Sequence, residues 1–158
     1  MSKNTAIKIE PGMVFLVPVK GSDPAVGVVA RFVDPAVLGY FFEPKTANHT
    51  GPEVWKLRAK DAIWIVRHGP LAIESGEWPI VGAIQDWDLS EWPIPPLVLW
   101  HKYFDRYFLK HYDEELRLIR EEPVSERRIR SSKAEDGSAG AGYVSTRLER
   151  ILQNGLEF

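Results

Sequence analysis

The chain has 158 residues, a length typical of one domain with one hydrophobic core. Apolar residues make up 44% and charged residues 27%, which argues against extensive disorder. The formal net charge of −2 disfavours nucleic acid as a partner, and the lack of Cys excludes disulfides, thiolate metal sites and thiol nucleophiles.

The first five residues lack the apolar stretch of a signal peptide, and no run of about 18 apolar residues occurs in the sequence. A sequence without Cys also suits a reducing compartment. We therefore expect a cytoplasmic protein with no membrane partner.

Short β-branched apolar runs, bounded by turn residues, predict strands in the first two thirds of the chain. These runs cover residues 13–19, 26–33, 37–43, 62–66 and 78–84. A shorter run at 71–73 lies between the last two, and each run is too short for a typical helix. Residues 97–108 predict one further strand, with a helix as the alternative. Leu116, Leu118 and Ile119 predict a last, exposed strand.

The C-terminal third of the sequence has a different pattern. Residues 121–140 are rich in charge, and their last ten (SSKAEDGSAG) predict a flexible loop. An apolar stripe at i, i+4, i+7 and i+8 predicts a helix over about 141–154; it consists of Val144, Leu148, Ile151 and Leu152. We predict a mainly β (α+β) fold in a single domain spanning 1–158. It would comprise a curved antiparallel sheet or partly open barrel over about 11–120, a charged loop and one C-terminal helix.

Side chains with catalytic or metal-binding chemistry are dispersed. The four histidines, at 49, 68, 101 and 111, lack the close spacing of metal ligands, and phosphate-binding, dinucleotide-binding and serine-hydrolase motifs are absent. Asp86 and Asp88 would point the same way on an extended segment, but such a pair is more typical of a solvated turn. We therefore predict no cofactor, no metal and no catalytic residue.

The region between His68 and His101 contains five acidic residues, no Lys or Arg, and four of the six Trp. Aromatic rings among carboxylates would suit a protein partner with a basic surface, since aromatic side chains carry binding energy and charges steer association. Trp78 and Trp100 lie within apolar runs and are predicted to be core residues. We predict that the remaining residues of this region contact a partner: Glu74, Glu77, Asp86, Trp87, Asp88, Glu91 and Trp92.

Three parts of the sequence resemble the immunity protein 26 family of bacterial polymorphic-toxin systems. Residues 11–18 (PGMVFLVP) with 27–29 (GVV) resemble the first hairpin of that family. Residues 78–82 (WPIVG), followed by 92–96 (WPIPP), are similar to its central signature. Residues 136–142 (DGSAGAG) resemble its glycine-rich turn before the closing helix.

The resemblance implies a cytoplasmic, mainly β protein that binds a cognate toxin and blocks it without catalysing a reaction. Because the family grouping also carries a phosphotriesterase label, the alternative is a metal-dependent hydrolase of phosphotriesters, for which the nominees are His68, Asp86, Asp88 and His101. A second alternative is a small-ligand binder whose barrel mouth is lined by Trp64, Trp78 and Trp100.

Overall fold

A nine-stranded sheet dominates the structure, a computed structural model that describes residues 7–44, 57–101, 103–129 and 132–155. The strands are β1 (Met13–Val17), β2 (Ala25–Val33), β3 (Ala36–Phe42), β4 (Trp64–His68), β5 (Ile80–Ala83), β6 (Leu97–His101), β7 (Arg106–Tyr112), β8 (Leu118–Val124) and β9 (Ala134–Ala139). The helices are α1 (Leu71–Glu74), α2 (Glu126–Ile129) and α3 (Ala141–Asn154). The predicted mainly β fold with a C-terminal helix is confirmed.

The strand order across the sheet is β5-β1-β2-β3-β4-β9-β6-β7-β8. Neighbours from β5 to β4 pair antiparallel, and so do β6, β7 and β8. Strand β9 lies between these two antiparallel parts and pairs parallel with β4 on one side and β6 on the other. Within the described residues the sheet is open, with β5 and β8 as its two edges.

Both faces of the central strands are buried, so the sheet carries a core on each side. We call the core that contains α1 and α3 the first core; among its members are Phe15, Phe41, Trp64, Trp78, Ile73, Val144, Leu148 and Ile151. The second core lies on the opposite face and is covered by the segment between β5 and β6; among its members are Val28, Leu38, Tyr40, Ile65, Leu97 and Trp92.

Close packing in the first core depends on a glycine in β2. A Cβ atom on Gly27 would lie 2.3 Å from Cζ of Phe15, so only glycine leaves room for that ring. The Phe15 ring then stacks on Trp78, with ring centroids 5.6 Å apart. This contact holds the segment before β5 against the first core.

Three predicted elements differ in the structure. The apolar run at 71–73 forms the helical turn α1, because Ala72 and Ile73 both pack into the first core. Residues 97–108 form the hairpin of β6 and β7 instead of one strand. The loop predicted over 121–140 instead contains the end of β8, α2 and β9.

None of the helices in the described part of the chain has the length and apolarity needed to span a bilayer. The five apolar runs predicted as strands correspond to β1–β5 within a few residues. The predicted exposed strand at Leu118 and Ile119 is the start of β8, whereas Leu116 is buried in the turn before it.

Candidate partner-binding site

Two adjacent carboxylates on β9 are buried and point to opposite faces of the sheet. Glu135 faces α3, where its Oε1 accepts a hydrogen bond from Nε of Arg147 (2.8 Å) and its Oε2 accepts one from the Tyr143 hydroxyl (2.9 Å). Burial, together with the charge of Glu135, raises the pKa of Tyr143 to about 12, so this hydroxyl stays protonated and donates.

The second carboxylate, Asp136, is 1% exposed and binds cations from neighbouring strands. It accepts a hydrogen bond from Nε of Arg67 on β4 (2.7 Å), and Nζ of Lys110 on β7 lies 3.9 Å away. The hydroxyl of Tyr112 also donates to it. Asp136 thus links β4, β9 and β7 on the face opposite Glu135.

A cleft lies between α3 and the β6–β7 hairpin, above Glu135. We call it the α3 cleft; its volume is about 580 Å³, within the range of pockets that bind ligands. Its lining consists of Val98, Leu99, Trp100, Tyr107, Glu135, Asp136, Tyr143, Thr146, Arg147 and Arg150. Trp100 and Tyr107 form one wall, with ring centroids 4.7 Å apart.

The turn of the β6–β7 hairpin exposes aromatic side chains to solvent. Tyr103 is 91% exposed, Phe104 is 64% exposed and Trp100 is 46% exposed. The Phe104 ring lies 4.6 Å from the His101 ring and 6.3 Å from that of Phe108. We call residues 100–108 the aromatic hairpin. Exposed aromatic side chains of this kind are typical of an interaction site.

The aromatic hairpin is not among the contact residues that the sequence predicts. Residues 97–108 were predicted as one strand, which left no turn to expose Tyr103 and Phe104. The prediction that Trp100 belongs to the core is also wrong, since its ring lies at the solvent-exposed wall of the α3 cleft. The five Phe, Tyr and Trp residues within residues 100–108 are the available signal.

Trp92, predicted to contact a partner, is instead part of the second core. It is 2% exposed and packs edge-on against Tyr40, with ring centroids 5.1 Å apart. Trp87 is partly buried, stacks on Trp92 and covers Gly12, where a Cβ atom would lie 3.1 Å from its ring. Both indoles therefore anchor the segment between β5 and β6, and the expected role of Trp92 as a surface ring is wrong.

The segment between β5 and β6 is held in place by Arg31. This buried side chain donates from Nη1 to the carbonyl oxygen of Trp92 (2.8 Å) and from Nε to Glu114 (2.7 Å). Within the same segment, the Asp88 carboxylate accepts hydrogen bonds from the backbone N–H (3.0 Å) and hydroxyl (2.7 Å) of Ser90. These bonds lower the pKa of Asp88, so it is negatively charged at neutral pH.

The five predicted contact carboxylates divide into two groups. Glu74 and Glu77 flank the end of α1, which packs on the first core. Asp86, Asp88 and Glu91 are exposed on the segment that covers the second core, and we call these three the acidic loop. The two segments pack on opposite faces of the sheet, so the five carboxylates do not lie on one element of the fold.

The residues nominated for the two alternative functions do not form a site. His68 is buried in the first core, whereas Asp86 and Asp88 are exposed on the segment over the second core. No group of three His, Asp or Glu in the described residues could hold a metal ion. For the ligand-binding alternative, Trp64 and Trp78 are buried in the first core, and the open sheet has no barrel mouth. His49 lies outside the described residues.

The profile of a protein family described as Immunity protein 26 matches residues 10–109. The chain belongs to this family. The matched part of this immunity protein 26 family member includes β1–β6, the acidic loop and the aromatic hairpin, and ends within β7. Among curated proteins and solved structures, none matched the chain.

His68 has an environment that suppresses its protonation. Its ring packs among Phe15, Phe41 and Trp78, and Nδ1 lies 2.8 Å from the carbonyl oxygen of Gly69. Burial lowers the pKa of His68 to about 4, so the ring is neutral at neutral pH. The carbonyl contact places the ring proton on Nδ1.

We predict that His68 makes the fold less stable in acid. In the unfolded chain a histidine has a pKa of about 6.5, so between pH 6.5 and 4 the unfolded state binds the proton more strongly and stability falls as pH decreases. Between pH 7 and pH 4.5 this group should cost about 2 kcal/mol of unfolding free energy. In urea denaturation at the two pH values, His68→Asn should lose less stability than wild type by about that amount. Equal losses in the two proteins would contradict the prediction.

Proposed function

We propose that this chain is an immunity protein that binds a cognate bacterial toxin in the cytoplasm and neutralises it by covering it. Membership of the immunity protein 26 family supports this function. The structural observation that carries it is the aromatic hairpin, whose Tyr103 and Phe104 are largely exposed. These rings are exposed to water in the free protein, so burying them against a partner contributes favourable binding free energy. The proposed action requires binding alone and no reaction.

The acidic loop would act on the rate of association. Asp86, Asp88 and Glu91 are exposed, and no Lys or Arg occurs between residues 68 and 101 to offset their charge locally. Exposed charges of one sign accelerate encounter with an oppositely charged surface and act within a Debye length of about 8–10 Å. We propose that the acidic loop steers a basic surface of the toxin. Glu74 and Glu77 lie beside α1 on the other side of the sheet and are not part of this proposed steering surface.

The proposed function is tested with candidate toxin domains cloned from the genome that encodes this chain. Co-expression of the wild-type chain should relieve growth arrest by one of these domains, and the two purified proteins should bind. Replacing both Tyr103 and Phe104 by Ala should weaken binding by about tenfold or more, as expected for truncating two hot-spot aromatics. Leu71→Ala, which truncates an exposed apolar residue on α1, is the matched control and should bind like wild type. If the wild-type chain neither binds nor protects, the proposed function is wrong.

Charge removal in the acidic loop should slow association with the toxin. We predict that the triple variant Asp86→Asn, Asp88→Asn, Glu91→Gln associates several-fold more slowly at low salt, with little change in dissociation rate. The difference should shrink at about 1 M salt, where the Debye length is about 3 Å.

A matched triple variant separates local steering from net charge. It removes the same charge from exposed positions elsewhere and should associate nearly as fast as wild type. Its three substitutions are Asp23→Asn, Glu121→Gln and Glu126→Gln. Stopped-flow fluorescence measures both rates. Equal slowing by the two triple variants would show that the acidic loop has no specific role.

A further inference from the structure

The α3 cleft contains a positively charged residue outside any ion pair of the described residues, whereas the acidic loop is negatively charged. Four charged residues line it, and three of them are paired: Glu135 with Arg147, and Asp136 with Arg67 from the opposite face. The fourth, Arg150, is exposed on α3. None of the ion pairs formed within the described residues includes Arg150.

The acidic side chain nearest to Arg150 in sequence is engaged elsewhere. Glu149, its neighbour on α3, accepts a hydrogen bond from the backbone N–H of Lys20 at 2.9 Å. The charges of the four charged lining residues cancel, and Arg150 is the one among them whose guanidinium forms no ion pair within the described residues, so its donors are available to a partner. An Arg guanidinium binds a carboxylate through two parallel hydrogen bonds, which favours an anionic occupant.

The aromatic walls of the cleft indicate which kind of side chain would bind next to a carboxylate paired with Arg150. Trp100 and Tyr107 provide an aromatic wall, and Tyr143, half exposed, stands on α3 among the lining residues. Arg, Trp and Tyr are the residue types that most often dominate binding energy at protein interfaces. A carboxylate next to an apolar side chain would fill the cleft, with the apolar group against the rings.

We infer that the α3 cleft receives an acidic segment of the toxin, in which an Asp or Glu side chain pairs with Arg150 and a neighbouring apolar side chain packs on Trp100. This inference rests on the proposed function and deepens it by naming the chemistry of the partner. The buried pair of Glu135 and Arg147 lines the cleft and joins α3 to β9.

Charge reversal at Arg150 tests the inference with the toxin domain that wild type neutralises in the co-expression test. Isothermal titration calorimetry should show that Arg150→Glu weakens binding by at least about tenfold and that Trp100→Ala weakens it by a similar factor. The matched control is Arg58→Glu. It makes the same charge change at an exposed position next to Leu57 and Ala59, which pack on the second core, away from the cleft. This control should bind within about twofold of wild type.

The outcomes separate the inference from the proposed function. If wild type binds the toxin and both cleft variants bind within twofold of it, the inference is wrong while the proposed function stands. The inference is also wrong if Arg58→Glu weakens binding as much as Arg150→Glu, because net charge alone would then explain the effect. If wild type does not bind, the proposed function fails and the inference with it. Thermal unfolding of each variant confirms that Arg150→Glu, at an exposed site, is folded.

Discussion

The ion pair between Glu135 and Arg147 is the interaction on which the arrangement of the sheet and α3 depends. Glu135 is the second residue of β9, directly opposite Val66 on one neighbouring strand and Val98 on the other. Strand β9 is the element that joins the two antiparallel parts of the sheet. A buried carboxylate requires a compensating charge, and α3 supplies it in Arg147. The pair thus fixes both where β9 lies and how α3 packs on it.

The same pair connects the fold to the proposed function. By holding α3 against β9, it places Arg150 across a cleft from Trp100 on β6. Trp100 and Tyr107 form one wall of this cleft, and the turn of the aromatic hairpin extends beyond them into solvent. The second carboxylate of β9, Asp136, ties the other face of the same strand to Arg67 and Lys110. The α3 cleft is therefore built beside a strand that carries two buried carboxylates.

The elements that the sequence predicts well are those whose apolar pattern decides their structure. The runs that became β1–β5 are β-branched and apolar, and the stripe containing Val144, Leu148 and Ile151 matches the buried face of α3. Strand β9 was missed because its sequence, AEDGSA, has no large apolar residue. Its two carboxylates form ion pairs with Arg67 on β4 and Arg147 on α3, and the local sequence of β9 does not reveal these contacts.

Tryptophan exposure could not be predicted from local sequence for the same reason. Trp92 lies in a polar, proline-rich segment, yet tertiary contacts with Tyr40 and the hydrogen bond from Arg31 to its carbonyl draw it into the second core. Trp100 lies in an apolar run, yet it is at the end of β6, where the hairpin extends beyond the cores. Burial of a ring depends on which elements cover it, and the sheet order that decides this is not encoded in any single segment.

Equilibrium urea denaturation of Glu135→Gln tests most directly whether the buried pair holds this structure together. Removing one member of a buried ion pair typically costs about 3–5 kcal/mol, so we expect a loss of about 3 kcal/mol or more in the free energy of unfolding. Glu115→Gln, which removes a carboxylate from an exposed pair with Arg117, is the control and should change it by less than about 1 kcal/mol. A loss for Glu135→Gln no larger than that of Glu115→Gln would contradict the account.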